Sequence, residues 1–293
     1  MIKEQLKGTG VAIITPFTSD GSIDFMALEK LIHFNIDNGV NYIVTLGTTG
    51  ETPTLSKEEK KDIVDFTIEK VNNRVPIVLG IGGNNTKEVI KDFECYNTSK
   101  ITAILSASPY YNKPTQEGLF LHYKALADAA PKPILLYNVP GRTGRNLSAA
   151  TTAKLSNEVE NIAGIKEASD SLQQAMEIVR DCRKDFLIVS GDDALSLSQI
   201  ALGFDGVISV AANCFPKQFS NMINLALNNN FEEARYIHYK LLKGYDYLFE
   251  ENNPAGAKAF LFELGLIQNE LRLPLTKASE TLQQKIKQFL QNI

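Results

Sequence analysis

Short apolar runs rich in β-branched residues recur along the chain, and the segments between them alternate apolar and charged positions at helical spacing. The runs are GVAIITPF (10–17), NYIVTLGT (41–48), PIVLGIG (76–82), TAILSAS (102–108), PILLYNVP (133–140), NIAGIKEAS (161–169), FLIVSGDD (186–193) and DGVISVAA (205–212). Between them, LSKEEKKDIVDFTIEKV opens with Ser56 three residues ahead of Glu59, the spacing of a capping box. It then sets Ile63, Phe66, Thr67 and Val71 on one face. TKEVIKDFECYNTSK and SLQQAMEIVRDCRKD repeat the amphipathic pattern. Eight such strand–helix units predict an α/β fold, a (β/α)8 TIM barrel. A doubly wound open sheet predicts the same local pattern, but no GxGxxG follows the first strand, which weakens the dinucleotide-binding version of that alternative.

From about Asn221 the strand signal stops. FEEARYIHYKLLKGYDYLFE, AGAKAFLFELGL and SETLQQKIKQFLQNI read as helices, with Pro254 and Pro274 as breaks. The expected organisation is a catalytic barrel over 1–230 and a C-terminal helical extension over 231–293.

Composition narrows the function. A chain of 293 residues with 30 Lys and Arg against 34 Asp and Glu carries a net charge of −4, without the basic footprint of a nucleic-acid binder. The 3 cysteines, Cys95, Cys182 and Cys214, are far apart and form no CxxC pair, which argues against a zinc site or a disulfide framework. No apolar run has the length of a signal-peptide core or a membrane span. A soluble, cytoplasmic protein acting on small molecules is expected.

In a barrel the chemistry collects at the C-terminal ends of the strands. Here those ends read GTTGE (47–51), SPYYN (108–112), YNVPGRTG (137–144), KEAS (166–169), SGDD (190–193) and ISVAAN (208–213). No histidine is among them, since His33, His122 and His238 fall on predicted helices. Ser-His-Asp and metal-assisted hydrolysis therefore lack their parts. The unusual member is Lys166. Strand alternation puts Ile162, Gly164, Lys166 and Ala168 on one face and Ala163, Ile165 and Glu167 on the other. The first face is small enough to line a barrel interior, and desolvation there favours the free amine. A free amine attacks a ketone to form a Schiff base, whose iminium is an electron sink.

Tyr137 at the neighbouring strand end is the nearest acid/base candidate, with Thr48 and Tyr111 as extensions of a relay. The Gly-flanked hydroxyls of GTTGE suit a small carboxylate, and the Arg142 fork suits a second one. Each feature also has a plainer reading. A lysine at a strand end is more often ion-paired or exposed. GTTG could be a turn with Gly at positive φ, and Asp192 and Asp193 could cap the next helix.

GTTGE, PYYNKPTQEG, YNVPGRTG, GIKEAS, SGDD and GVISVAAN together resemble the ordered motifs of the dihydrodipicolinate synthase family, from about Gly10 to Pro274. That family comprises pyruvate-dependent class I aldolases and lyases on a (β/α)8 barrel with a helical C-terminal part. The resemblance implies that Lys166 forms the Schiff base with pyruvate, with no further cofactor and no metal. It implies a proton relay of Tyr137, Thr48 and Tyr111, the last supplied by a neighbouring subunit. Thr49 would join Thr48 on the pyruvate carboxylate. Arg142 would guide aspartate semialdehyde, and Gly191 and Ile208 would line the site through their backbones. A homotetramer built as a dimer of dimers is implied, as is a product, 4-hydroxy-tetrahydrodipicolinate, destined for diaminopimelate and lysine.

An N-acetylneuraminate or 2-keto-3-deoxy sugar-acid lyase shares the lysine and the tyrosine; Arg142 favours the synthase. A non-catalytic pyruvate- or effector-binding homologue is the alternative from another class. Asn84, Glu88 and Tyr110 match the family's lysine feedback site. Lys57 and Lys60 stand where feedback-sensitive members often carry histidine, and an added cation opposes a cationic effector, so weak or absent inhibition by lysine is expected. NPAGAK (253–258) departs from the family pattern, in which larger apolar residues are expected after Pro254.

Overall fold

The computed structural model describes residues 1–293. Its eight parallel strands are β1 (Gly8–Ala12), β2 (Tyr42–Thr45), β3 (Ile77–Gly80), β4 (Ala103–Ala107), β5 (Ile134–Asn138), β6 (Ile162–Glu167), β7 (Leu187–Ser190) and β8 (Gly206–Ser209). They pair in chain order, and β1 pairs with β8 to close the sheet. The closed barrel removes the open-sheet alternative. Helices Phe25–Asp37, Lys57–Val71, Thr86–Asp92, Gln116–Ala129, Ala149–Glu158, Leu172–Asp181, Ser196–Ala201 and Pro216–Leu227 follow the successive strands. The predicted capping box is formed, with Ser56 and Glu59 each bonding the other's backbone N–H at the start of Lys57–Val71.

Strand alternation sorts the apolar residues into two layers. Val44, Val78, Leu105, Leu135, Leu187, Val189 and Ile208 pack inside the barrel. Ile43, Ile77, Leu79, Ile104, Leu136, Ile165 and Val207 face outward into the larger core between sheet and helices. One expectation fails here. Ile162 belongs to the outer core, and Ala163 packs toward the interior. The cause is a register shift: Ile134 pairs with Ile162, but Leu135 pairs with Gly164, so the strict alternation that links Lys166 to Gly164 stops before Ile162.

Three further helices complete the chain, Phe231–Phe249, Ala255–Glu263 and Glu280–Leu290. Their Leu241, Tyr245, Leu248, Phe260, Leu282 and Ile286 belong to the same outer core as the barrel. Phe215, just after β8, meets the rings of Phe260 at 5.2 Å and Phe289 at 6.0 Å edge-on. The small residues of NPAGAK also find their reason. A Cβ at Gly256 would stand 2.4 Å from the Tyr247 carbonyl oxygen and 2.7 Å from that of Leu248. The next helix packs too closely on those carbonyls for a larger side chain there.

Candidate active site

A cavity of about 780 Å³ opens at the C-terminal ends of the strands. Thr48 and Thr49 after β2, Tyr137 on β5, Arg142 beyond it, Lys166 on β6 and Gly191 after β7 all line it. Lys166 is 5% exposed and pairs across the sheet with Tyr137 on one side and Val189 on the other. Its Nζ lies 4.4 Å from the centroid of the Tyr137 ring. The ammonium makes no ion pair and no hydrogen bond to the chain. Gly191 is what leaves it room: a Cβ there would stand 3.0 Å from Lys166 Cε and 2.5 Å from the Ala168 Cβ.

Glu167, on the outward face, has a different life. Its buried carboxylate accepts from Asn138 Nδ2 at 3.0 and 3.2 Å, from the Ser169 N–H at 2.6 Å and from Gln174 Nε2 at 3.1 Å. Four contacts, from the end of β5, the residue after Ala168 and the helix Leu172–Asp181, make it a brace for the strand end.

Thr48–Gly50 forms a single 3-10 turn. The glycines are not there for positive φ, since Gly47 sits at −75°. The left-handed residues are Leu46 at 54° and Glu51 at 53°, bracketing the turn. The first N–H groups of any such turn lack a partner within it, and Thr48, exposed, lines the cavity beside them. Thr49 is buried, and its Oγ1 accepts from Asn253 Nδ2 at 3.0 Å. Arg142 lies on the short helix Pro140–Thr143 and donates to Asn252 Oδ1 at 3.2 Å and to the Asn253 carbonyl at 3.5 Å.

Asn253 was therefore missed by sequence reasoning, as were Tyr245, Asp246, Phe249 and Glu250, all from the C-terminal extension and all lining the cavity. The departure at NPAGAK was the only signal. Asp192 also lines the cavity, and its Oδ1 accepts from Leu195 N at 3.0 Å, as a residue leading into the next helix should. Asp193 does not cap that helix. Its Oδ2 accepts from the N–H groups of Val210 at 3.2 Å and Ala211 at 2.8 Å, tying the β7 end to the β8 end. Burial pushes its carboxyl up to about 6.

The family model described as the dihydrodipicolinate synthetase family matches residues 5–293. The chain belongs to that family. It is 50% identical to the 4-hydroxy-tetrahydrodipicolinate synthase of Azobacteroides pseudotrichonymphae, over 97% of this chain and 96% of that one. It is 47% identical to the enzyme of the same name from Parabacteroides distasonis, over 98% and 97%. The crystal structure of the chloride-inhibited dihydrodipicolinate synthase from Acinetobacter baumannii, complexed with pyruvate, superposes with a TM-score of 0.95. Identity there is 40%, covering 98% of both chains.

Some residues assigned from the resemblance to dihydrodipicolinate synthases lie away from the cavity. Ile208 is packed inside the barrel, and Val210, two residues on, lines the cavity. Tyr111 is 89% exposed with φ at 71° and does not line the cavity of its own chain. Tyr110 lines the cavity instead, as does Lys60. The Tyr110 carbonyl accepts from Asn84 Nδ2 at 3.3 Å, and Asn112 Nδ2 donates to the Asn84 carbonyl at 2.9 Å. Glu88 lies beyond them, paired at 2.8 Å with Lys91. Lys91, and more weakly Lys57, hold its carboxyl below the usual range.

Proposed function

We propose that this member of the dihydrodipicolinate synthase family condenses pyruvate with L-aspartate 4-semialdehyde to give 4-hydroxy-tetrahydrodipicolinate. The observation that carries the reading is Lys166, buried at a strand end, free of any ion pair, and open to a cavity that also holds Tyr137, Thr48, Thr49 and Arg142. An amine committed to a carboxylate is a poor nucleophile, and this one is uncommitted.

The Lys166 amine adds to the C2 ketone of pyruvate, and the carbinolamine loses water to leave a protonated imine. Thr48 and Thr49, with the free N–H groups of their turn, hold the carboxylate. C3 then gives a proton to the relay headed by Tyr137, and the electron pair moves toward the iminium nitrogen to form an enamine. That carbon attacks the aldehyde of the second substrate, whose oxygen takes the proton back and becomes a hydroxyl. Arg142 holds the carboxylate of the semialdehyde with its bidentate fork. The amino group of that substrate finally adds to C2 and displaces Lys166, closing the ring. No electron leaves the substrates, so no redox cofactor is required.

Tyr111 belongs to the same reading as a residue for a neighbouring subunit. An exposed aromatic held in the left-handed region is an unfavourable arrangement for an isolated chain, which supports a partner that receives it. The enzyme is accordingly proposed to work as a cytoplasmic homotetramer, a dimer of dimers, with 1–230 as the barrel and 231–293 as its extension. The test is borohydride reduction in the presence of pyruvate followed by intact-mass and peptide analysis. A reduced pyruvate adduct on Lys166 is expected, and turnover with the semialdehyde but not with sugar acids. Absence of the adduct rejects the reading.

Inhibition by lysine is expected to be weak or absent. Glu88, the acidic residue of the proposed effector site, is already paired with Lys91, and Lys57 adds a further cation nearby. Clear inhibition of the pure enzyme at low millimolar lysine would overturn this.

A further inference from the structure

The helices beyond the barrel reach the hydroxyl turn through contacts that all come from NPAGAK and the loop after it. Lys258 is fully buried, with Nζ 2.5 Å from Glu51 Oε1, and donates to the Glu270 carbonyl at 2.8 Å. The other oxygen of Glu51 accepts from the backbone N–H of Arg272 at 3.1 Å. The Arg272 guanidinium grips Glu59 at 2.5 and 2.8 Å and donates to the carbonyls of Gly21 and Thr54. Both cations lie against the ring of Phe17, at 4.1 Å for Lys258 and 4.5 Å for Arg272. Nearer the cavity, the Asn253 amide donates to Thr49.

A buried ion pair is a weak source of stability compared with apolar packing; what it supplies is a fixed position. Glu51 needs one. It and Leu46 sit in the left-handed region on either side of the Thr48–Gly50 turn. Non-glycine residues stay there only where their surroundings enforce it. The clamp on the Glu51 carboxylate, with an ammonium on one oxygen and a backbone N–H on the other, is such an enforcement. Asn253 acts on the side chain rather than the backbone. Because the Thr49 oxygen accepts from the amide, the Thr49 hydrogen is left for another acceptor.

We infer that the C-terminal extension is a positioning strut for the pyruvate-carboxylate turn: Lys258, through Glu51, fixes its backbone, and Asn253 turns the Thr49 hydroxyl into a donor toward substrate. The inference rests on the assignment of that turn to the pyruvate carboxylate. Lys258, Glu51 and Asn253 are positioning residues, acting through Thr48 and Thr49.

Steady-state kinetics on four variants test it: Lys258→Met, the double Glu51→Gln with Lys258→Met, Asn253→Ala and Asn253→Asp, each checked for fold by circular dichroism. The double variant leaves no unpaired buried charge, so it decides the matter if Lys258→Met alone does not fold. It is expected to raise the KM for pyruvate about tenfold, with kcat within about threefold and the KM for the semialdehyde unchanged. Asn253→Asp is expected to be worse than Asn253→Ala, because its carboxylate captures the Thr49 hydrogen and repels the substrate. A merely structural role lowers the melting temperature and leaves the KM for pyruvate alone. A folded double variant with that KM within about twofold of wild type overturns the inference, as does Asn253→Asp matching Asn253→Ala. If wild type itself forms no borohydride-trapped adduct, the functional reading fails and takes this one with it. An adduct in wild type with unmoved KM in the variants sinks the strut alone.

Discussion

Lys166 and Lys258 are the two buried lysines of the chain, and their surroundings differ in every respect that matters to an amine. Lys166 ends a strand, faces a cavity and has the Tyr137 ring centroid 4.4 Å from its Nζ. Lys258 lies in a helix of the extension, does not line the strand-end cavity, and is bound to Glu51 and the Glu270 carbonyl. Burial by itself thus says nothing about reactivity. An ammonium with its hydrogens and charge matched is a fixture, and one left unmatched beside open space is available for chemistry.

Replacing each lysine by methionine should separate the two roles. Lys166→Met is expected to lower kcat by more than about 10³-fold and to abolish the pyruvate adduct. Its stability in denaturant should equal or exceed that of wild type, because an unmatched buried ammonium has been removed. Lys258→Met should do the reverse. It leaves the Glu51 carboxylate buried and unpaired, at a cost of about 3–5 kcal/mol in unfolding free energy, while folded molecules still form the adduct. A destabilised Lys166→Met together with an adduct-free Lys258→Met would break the comparison.

The two lysines also differ in how far the sequence betrays them. Lys166 is legible because its signal is local: a polar residue ends an apolar run, with Tyr137, Thr48 and Arg142 at other strand ends that the barrel brings together. Even there the alternation failed at Ile162, since a register shift is set by pairing with β5 and leaves no mark on β6 itself. Lys258 is illegible because its partner is over two hundred residues earlier, and no periodicity on either segment reports that meeting. The same distance hid Asn253 from Thr49, and Asp193 meets the β8 end only because the barrel sets neighbouring strand ends side by side. Tyr111 is a third kind of case. Its strand end made it a relay candidate, but a neighbouring subunit as its destination came only from the family resemblance, and the cavity of its own chain does not contain it.

Tyr137 sharpens the Lys166 side of the comparison. Removing its hydroxyl should slow the proton transfers that follow Schiff-base formation and leave the amine in place. Tyr137→Phe is expected to lose about 10²-fold in kcat while still giving a borohydride-trapped adduct at Lys166. Loss of the adduct as well would mean that the phenol is needed to form the imine, and that Lys166 is less self-sufficient than its isolation suggests.

The smallest expected effect concerns Lys258 and follows from its proton. Burial pulls its pKa down to about 8, with the Glu51 carboxylate opposing the fall. In the unfolded chain the same amine keeps its proton to about 10.4. Between those values the unfolded state binds more protons than the folded one, so unfolding free energy rises with pH across that window. Below pH 8 the lysine is protonated in both states and contributes no slope. Wild type should therefore gain on the order of 2 kcal/mol relative to the Glu51→Gln, Lys258→Met double variant between pH 8 and 10.5, measured by urea unfolding. The double variant is the right reference because the other lysines and tyrosines titrate in both proteins and cancel. A flat difference across that range would mean that the Glu51 carboxylate fully offsets the desolvation of Lys258. Its contrast with Lys166 would then rest on geometry alone.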